Sequence, residues 1–194
     1  MEKISYALGL SIGNNLLSSG IEGLNIEKFS KGMSDVLLAK KPEMSQEEAQ
    51  GIISSFFEQL QQKQFQAHLD AGNKFLEENK QKPGVVTLPS GLQYLVLTDS
   101  IGTKPSAASS VKCHYHGTLI DGTVFDSSVQ RGTPATFGVS QVIKGWVEAL
   151  QLMSVGSKWR LFIPHDLAYG AQGAGQHIAP YSALIFDVEL LEII

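Results

Sequence analysis

The chain has 194 residues, more than one small domain needs and enough for a compact domain with an appendage. Hydrophobic residues make up 43% and charged residues 18%, the balance of a globular protein, and no apolar run reaches the ~20 residues of a membrane-crossing helix. The net charge of -4 is evenly spread, with 9 basic against 11 acidic residues in 1–88 and 6 against 8 in 89–194, so no basic face favours nucleic acid.

A single cysteine, Cys113, excludes an internal disulfide and fits a reducing compartment. Met1 leads into an amphipathic segment, not into a basic stretch followed by an apolar one. The expectation is therefore a cytoplasmic protein, or a periplasmic one if a leader has been removed.

In chain order, Ile4, Leu8, Ile12 and Leu16 recur at helical spacing from Ile4 to Ser18, and Gly20 is a plausible stop. Gly9 and Gly13 sit one turn apart on one face. They are either tolerated glycines, at about 1 kcal/mol each relative to Ala, or a bared backbone for close approach of another helix. A second helix is expected from Asn25 as N-cap to about Lys40, with Phe29, Met33, Val36 and Leu37 on one face and Pro42 ending it. Ser45 and Glu48 form a capping box, and helical sequence then runs without proline to about Lys82, a span of roughly 55 Å at ~1.5 Å per residue. Its start is apolar, with Ile52, Ile53, Phe56, Phe57 and Leu60. From Gln61 to Lys74 only Phe65 and Leu69 are large and apolar, so the middle reads as solvated on most sides.

An element apolar at one end and wet in the middle suggests a stalk. The favoured reading is that residues 1–60 complete their core against a second copy, giving a homodimer. The other reading is a helical domain folded back on the C-terminal half.

The pattern changes at Pro83-Gly84, and from Leu88 the period falls from 3.6 to 2. This places a helical domain in 1–88, with its long linking helix at about 46–82, and a second domain in 89–194. Strands are expected at Leu92–Leu97, Val111–Leu119, Thr133–Phe137, Lys158–Ile163 and Ala183–Ile193, with Asp121-Gly122 as a tight turn. One helix, about Ile143 to Met153, interrupts them. Leu184, Phe186, Val188 and Leu190 alternate with Ile185, Asp187 and Glu189, while Trp159, Leu161 and Ile163 alternate with Lys158 and Arg160. These patterns describe an antiparallel sheet with one face covered by a short helix, an α+β domain after an all-α one.

By spacing alone Phe137, Trp146 and Phe186 are core, and Asp126 before Ser127-Ser128 is a turn or capping carboxylate. His114 and His116 lie two apart on one strand face without a third ligand at useful spacing, so neither a metal nor another cofactor is expected. Cys113 reads as a small buried hydrophobe, and His165 and His177 as loop residues.

The runs Tyr-His-Gly-Thr-Leu at 115–119, Asp-Gly-Thr-Val-Phe-Asp-Ser-Ser at 121–128, Val-Ile-Lys-Gly-Trp at 142–146, Met-Ser-Val-Gly at 153–156, Leu-Ala-Tyr-Gly at 167–170 and Leu-Ile-Phe-Asp-Val-Glu-Leu at 184–190 resemble the signature of FKBP-type peptidyl-prolyl cis-trans isomerases. Residues 1–88 resemble the helical, dimerising part of the bacterial macrophage infectivity potentiator (Mip)-like branch. The resemblance implies a five- or six-stranded antiparallel half-barrel wrapped on a helix, with the active site in the hollow between them. It places Tyr115, Phe125, Asp126, Phe137, Val142, Ile143, Trp146, Tyr169 and Phe186 at pocket positions, with Trp146 as floor and the Tyr169 hydroxyl at the rim. It puts the Ile143 N–H where it can hold a substrate carbonyl, makes Ile178 a lining residue and makes Arg131 a partner of the Asp126 carboxylate. His177, beside Ile178, is placed to touch substrate.

The implied activity is rotation about X–Pro imide bonds of proline-containing polypeptides, assisting their folding. The macrolides tacrolimus and rapamycin are the implied inhibitors. A holdase or proline-segment binding module with little turnover is the alternative. This sequence departs from the best-known family pattern at Ala135, where an aromatic is common, at Gln141, and at Ala179-Pro180. Ala135 is expected to remove a pocket wall and weaken macrolide affinity.

Overall fold

The computed structural model describes all 194 residues, and two of its first three helices begin on side-chain caps. Helix α1 is Glu2–Ser18. Helix α2, Ile26–Leu37, opens on Asn25, whose side-chain oxygen accepts the Lys28 N–H at 3.0 Å. Helix α3, Gln46–Asn79, follows Ser45, whose hydroxyl accepts the Glu48 N–H at 3.1 Å. Each cap satisfies a donor that has no partner within its own helix.

The chain divides into two compact units, Met1–Gln62 and Lys63–Ile194, with the division inside α3. The boundary expected at 88/89 marks the change of period, not the limit of the second unit. The reason is a strip along α3. Phe65, Leu69, Gly72, Phe75 and Asn79 recur at three- and four-residue spacing and, with Leu76, are all buried or half-buried, while the rest of 63–80 is exposed. The solvated middle expected from composition is thus wet on every side but one.

In the first unit α1 buries no residue, and α2 buries only Asp35, which accepts from Lys31 Nζ at 2.8 Å. Lys28 and Lys31 both reach Glu43, at 3.1 and 3.0 Å. The apolar faces stay uncovered: Leu8 is 59% exposed, Val36 73% and Leu37 81%. No atom lies within 4 Å of where a Cβ would stand on Gly9 or Gly13, so nothing in the chain uses the close approach they permit.

The second unit is built on a seven-stranded antiparallel sheet in the order β1-β2-β6-β7-β3-β4, with β5 also paired to β3. The strands are β1 Val85–Thr87, β2 Gln93–Thr98, β3 Ser110–Leu119, β4 Val124–Ser127, β5 Ala135–Gly138, β6 Lys158–Ile163 and β7 Leu184–Ile193. The alternations in β6 and β7 hold, with Leu161, Ile163, Leu184, Val188 and Leu190 fully buried. Strands β1 and β4 and the one-turn helix α4, Ser128–Arg131, went unread because each is too short to show a period. Strand β4 follows a tight turn in which Gly122 has φ +88 and Asp121 Oδ1 accepts the Thr123 N–H at 2.8 Å.

Both faces of the sheet are covered. On one lies α5, Lys144–Leu152, which buries Gly145, Trp146, Ala149 and Leu150. A Cβ at Gly145 would stand 2.6 Å from Ile163 Cγ2, so glycine sets how closely α5 approaches the sheet. The other face, expected to be mostly wet, carries the second half of α3. Phe75 packs on Phe162 with ring centroids 6.0 Å apart, and Asn79 Nδ2 donates to Gln93 Oε1 at 2.9 Å. Gln93 Nε2 in turn donates to the Leu76 carbonyl at 2.9 Å.

Leu161 is fully buried between these layers, so Leu161→Ala leaves a cavity that neighbouring strands cannot close. We expect a loss of about 2–5 kcal/mol. Urea denaturation should show a lower midpoint at unchanged slope, and a midpoint equal to that of the parent would contradict this account of the core.

Candidate active site

The inner face of β3 reads Val111, Cys113, Tyr115, Gly117, and all four are buried. At Gly117 the alternation places a residue without a side chain, and the reason is steric. A Cβ there would stand 2.7 Å from the Phe186 ring and 2.8 Å from the Phe125 ring, so both aromatics rest directly on the strand backbone. Trp146, in the first turn of α5, is only 4% exposed and meets three rings edge-on. Its centroid lies 5.5 Å from Tyr115, 5.6 Å from Phe137 and 5.3 Å from Phe186. Such contacts set positive ring edges against negative faces and fix the rings mutually.

Above Trp146 opens a cavity of about 540 Å³. Tyr115, Phe125, Asp126, Phe137, Val142, Ile143, Trp146, Tyr169 and Phe186 line it, as do Ile178 and His177. The chain therefore brings together in one cup residues from β3, β4, β5, α5, β7 and the loop 164–183. Arg131 is not in the lining; it stands behind the wall on α4. Three further lining residues, Gln141, Ala174 and Gly175, were not singled out as contacts. Gln141 was noticed only as a departure from a pattern, and small residues in an aperiodic loop give no signal. Ala135 is absent from the lining. Phe137, two residues on and on the same face of β5, is in the lining.

Tyr115, Asp126 and Arg131 form one polar network at the wall of the cup. The Tyr115 hydroxyl donates to Asp126 Oδ2 at 2.6 Å, Arg131 Nη2 donates to the Tyr115 hydroxyl at 2.7 Å, and Arg131 Nη1 pairs with Asp126 Oδ1. Burial works against the Asp126 charge, but the Tyr115 hydroxyl and the Arg131 guanidinium outweigh it and hold the carboxyl below its ordinary range. The Tyr115 hydroxyl is pushed up by burial and by donating to Asp126. The Tyr169 hydroxyl is pushed up by burial and by the Asp126 charge. Tyr169 is 38% exposed and stands at the rim.

Ile143 is the N-cap of α5, and its N–H makes no backbone hydrogen bond in the chain. The indole N–H of Trp146 is buried and likewise unpartnered. The two histidines flanking Tyr115 are engaged elsewhere, His114 Nδ1 with Ser128 Oγ at 3.0 Å and His116 Nδ1 with Ser127 Oγ at 2.9 Å. Cys113 is fully buried beneath the sheet, and its thiol is pushed up to about 12 by burial. The cup thus presents aromatic walls, one fixed carboxylate and a few unsatisfied donors. It has no thiolate and no free base beside a nucleophile, so its chemistry is that of binding and shaping a substrate.

Comparison with known proteins agrees with this reading. Residues 102–191 match the family model described as FKBP-type peptidyl-prolyl cis-trans isomerase, and residues 1–96 match the one described as the domain amino terminal to it. The chain is 48% identical to the FKBP-type 22 kDa peptidyl-prolyl cis-trans isomerase of Escherichia coli, covering 98% of this chain and 94% of that one. It is 43% identical to the outer membrane protein MIP of Legionella longbeachae, over 99% of this chain and 85% of the relative. Among solved structures, that of FkpA from Escherichia coli superposes with a TM-score of 0.80 at 35% identity, covering 98% of this chain and 95% of the other. An aromatic cup with no nucleophile, in a chain matched along its whole length by such relatives, belongs to the family of FKBP-type peptidyl-prolyl cis-trans isomerases.

Proposed function

We propose that the cup above Trp146 is where this isomerase rotates the X–Pro imide, and that it does so by binding the twisted bond more tightly than the planar one. Resonance gives the imide a rotational barrier of about 18–20 kcal/mol and makes the planar form the more polar. Moving the bond from water into walls of Tyr115, Phe125, Phe137 and Phe186 favours the less polar, twisted form. No proton is transferred and no covalent intermediate is needed. The observation that carries the reading is the convergence of these rings on Trp146 in a cavity whose one ionised group, Asp126, is already paired.

In this reading the Ile143 N–H and the Tyr169 hydroxyl hold carbonyls flanking the proline, while Ile178 and His177 contact neighbouring residues. Arg131 acts on the wall and not on the substrate, fixing Asp126 and through it the Tyr115 ring. The substrates are proline-containing segments of polypeptides. Tacrolimus and rapamycin compete for the same cup, with affinity lowered by the absence of an aromatic at Ala135.

The first unit is proposed as the surface through which two copies associate. Support comes from the uncovered apolar residues of α1 and α2 and from the unused close approach at Gly9 and Gly13. A cytoplasmic place of work is carried over from the sequence reading. The inert Cys113 thiol suits that and an oxidising compartment alike.

Turnover on a short X–Pro peptide tests the cup. Tyr169→Phe removes one hydrogen bond at the rim and should lower kcat/KM by roughly 2- to 10-fold. Gly117→Ala pushes the Phe125 and Phe186 rings off the strand and should cost more. Wild-type turnover in both variants would sink the assignment, and retained aggregation suppression with no turnover would favour a holdase.

The pH dependence follows from Asp126. Its carboxyl is held below the ordinary range, so its contribution to the cup is complete above the ordinary carboxylate value and is lost as pH falls through the lowered one. kcat/KM should be flat through neutrality and drop only in that acid window, and Asp126→Asn should remove the drop. A titration near neutrality would instead indicate proton transfer.

Light scattering tests association. The parent should be a dimer at micromolar concentration, and Val36→Glu with Leu37→Glu should give monomers with unchanged short-peptide turnover. A monomeric parent refutes the proposal.

A further inference from the structure

The loop between β6 and β7, residues 164–183, carries Tyr169, Ala174, His177 and Ile178 to the cup. Its backbone hydrogen bonds close on the loop itself. The Tyr181 N–H donates to the Gly170 carbonyl at 2.8 Å, and Ala174 and Ile178 exchange bonds of 2.8 and 3.1 Å. A long loop bonded to itself is positioned against its surroundings by side-chain packing. Ile178 supplies one such anchor, buried in the core.

The second anchor is Tyr181. It has φ +62, a left-handed conformation that a bulky residue keeps only where its surroundings hold it. What holds it is a pair of ring contacts. Phe65 of α3 packs on one side with centroids 5.8 Å apart, and His165 meets the ring edge-on at 5.3 Å. His165 Nδ1 is buried without a hydrogen-bond partner, so packing alone fixes that ring. Two turns along α3, Gly72 brings the helix onto the end of the loop, where a Cβ would stand 3.2 Å from Ala183 Cβ and 3.9 Å from the Tyr181 carbonyl oxygen.

We propose that Phe65 is a positioning residue for the isomerase reaction: through Tyr181 it fixes the loop that presents Tyr169 and Ile178 to the substrate. Phe65 is outside the cup lining, and the path is short. It runs from the Phe65 ring to Tyr181, through the Tyr181 N–H to Gly170, and from Gly170 to the adjacent Tyr169. The helix that precedes the sheet thereby takes part in shaping the rim. The proposal rests on the reading of the cup as the catalytic site.

The test uses the full chain with Phe65→Ala, Phe65→Tyr and Tyr181→Leu, with Tyr169→Phe as reference. Readouts are kcat and KM on a short X–Pro peptide, amide chemical shifts of Tyr169–Ile178, and urea denaturation. Rim contacts are made in ground and transition state alike, so Phe65→Ala should raise KM roughly 3- to 10-fold with kcat held within about twofold. It should also move the loop amides. Phe65→Tyr should restore both, and Tyr181→Leu, which breaks the contact from the loop side, should reproduce the loss. Phe65→Ala combined with Tyr181→Leu should be no worse than either alone.

Lowered stability with parent KM and unmoved loop amides in Phe65→Ala or Tyr181→Leu overturns the proposal. If Phe65→Ala does not fold, Tyr181→Leu decides by the same readouts. If Tyr169→Phe and Gly117→Ala are both without effect, the catalytic assignment of the cup fails, and the loop amides alone then decide whether Phe65 positions the loop.

Discussion

The structure turns on the contact between Trp146 and the sheet. Its ring is held by the edges and faces of Tyr115, Phe137 and Phe186, which come from β3, β5 and β7. None of those contacts is possible unless α5 lies close to the sheet, and that distance is set by Gly145 against Ile163. Nor can the rings converge unless β3 lets Phe125 and Phe186 rest on its backbone at Gly117. Two glycines therefore decide whether this aromatic set packs as a closed core or opens as a cup. The rings would be there in either case; the spacing between layers makes the difference.

The electrostatics of the cup follow from the same economy of parts. A lone carboxylate in an aromatic hollow would be driven toward its neutral form by desolvation. Asp126 remains ionised because Tyr115 and Arg131 reach it from opposite sides, and Arg131 closes the triangle by donating to the Tyr115 hydroxyl. The charge is spent on structure, and the walls present almost entirely apolar surface to whatever enters. An imide rotation asks for this combination, since it needs a dry site with fixed walls and has no use for a proton carrier.

What could be read from the sequence tracks how periodic each element is. β6, β7 and α5 carry long alternations or helical spacing, so their inward faces and several cup residues were legible. Spacing alone, however, gives Phe137, Trp146 and Phe186 only as core. The resemblance in ordered motifs carried the step to a pocket, because openness depends on distances between layers that no single segment encodes. Gln141, Ala174 and Gly175 were missed for a related reason: they reach the cup through loop geometry, with no pattern of their own. The compact units divide away from the change of period for a different reason. The polar middle of α3 hides a strip in which Phe65, Leu69, Gly72, Phe75 and Asn79 share one face, and a composition average over that stretch dilutes it.

That strip changes what the catalytic unit is. A sheet with one wet face would need nothing from the preceding helix, and the unit could begin at 89. Here Phe162 is 6% exposed because Phe75 covers it, and Gln93 is 3% exposed with its amide bonded to Asn79 and to the Leu76 carbonyl. Removing residues 63–88 would bare the Phe162 ring to water and replace both bonds of the Gln93 amide by bonds to solvent. It would also strip Tyr181 and Ala183 of Phe65 and Gly72, the neighbours that meet the end of the rim loop. The helix looks like a connector in sequence, yet its second half belongs to the sheet it covers. The second compact unit therefore begins at Lys63, well before the residue where the strand pattern starts.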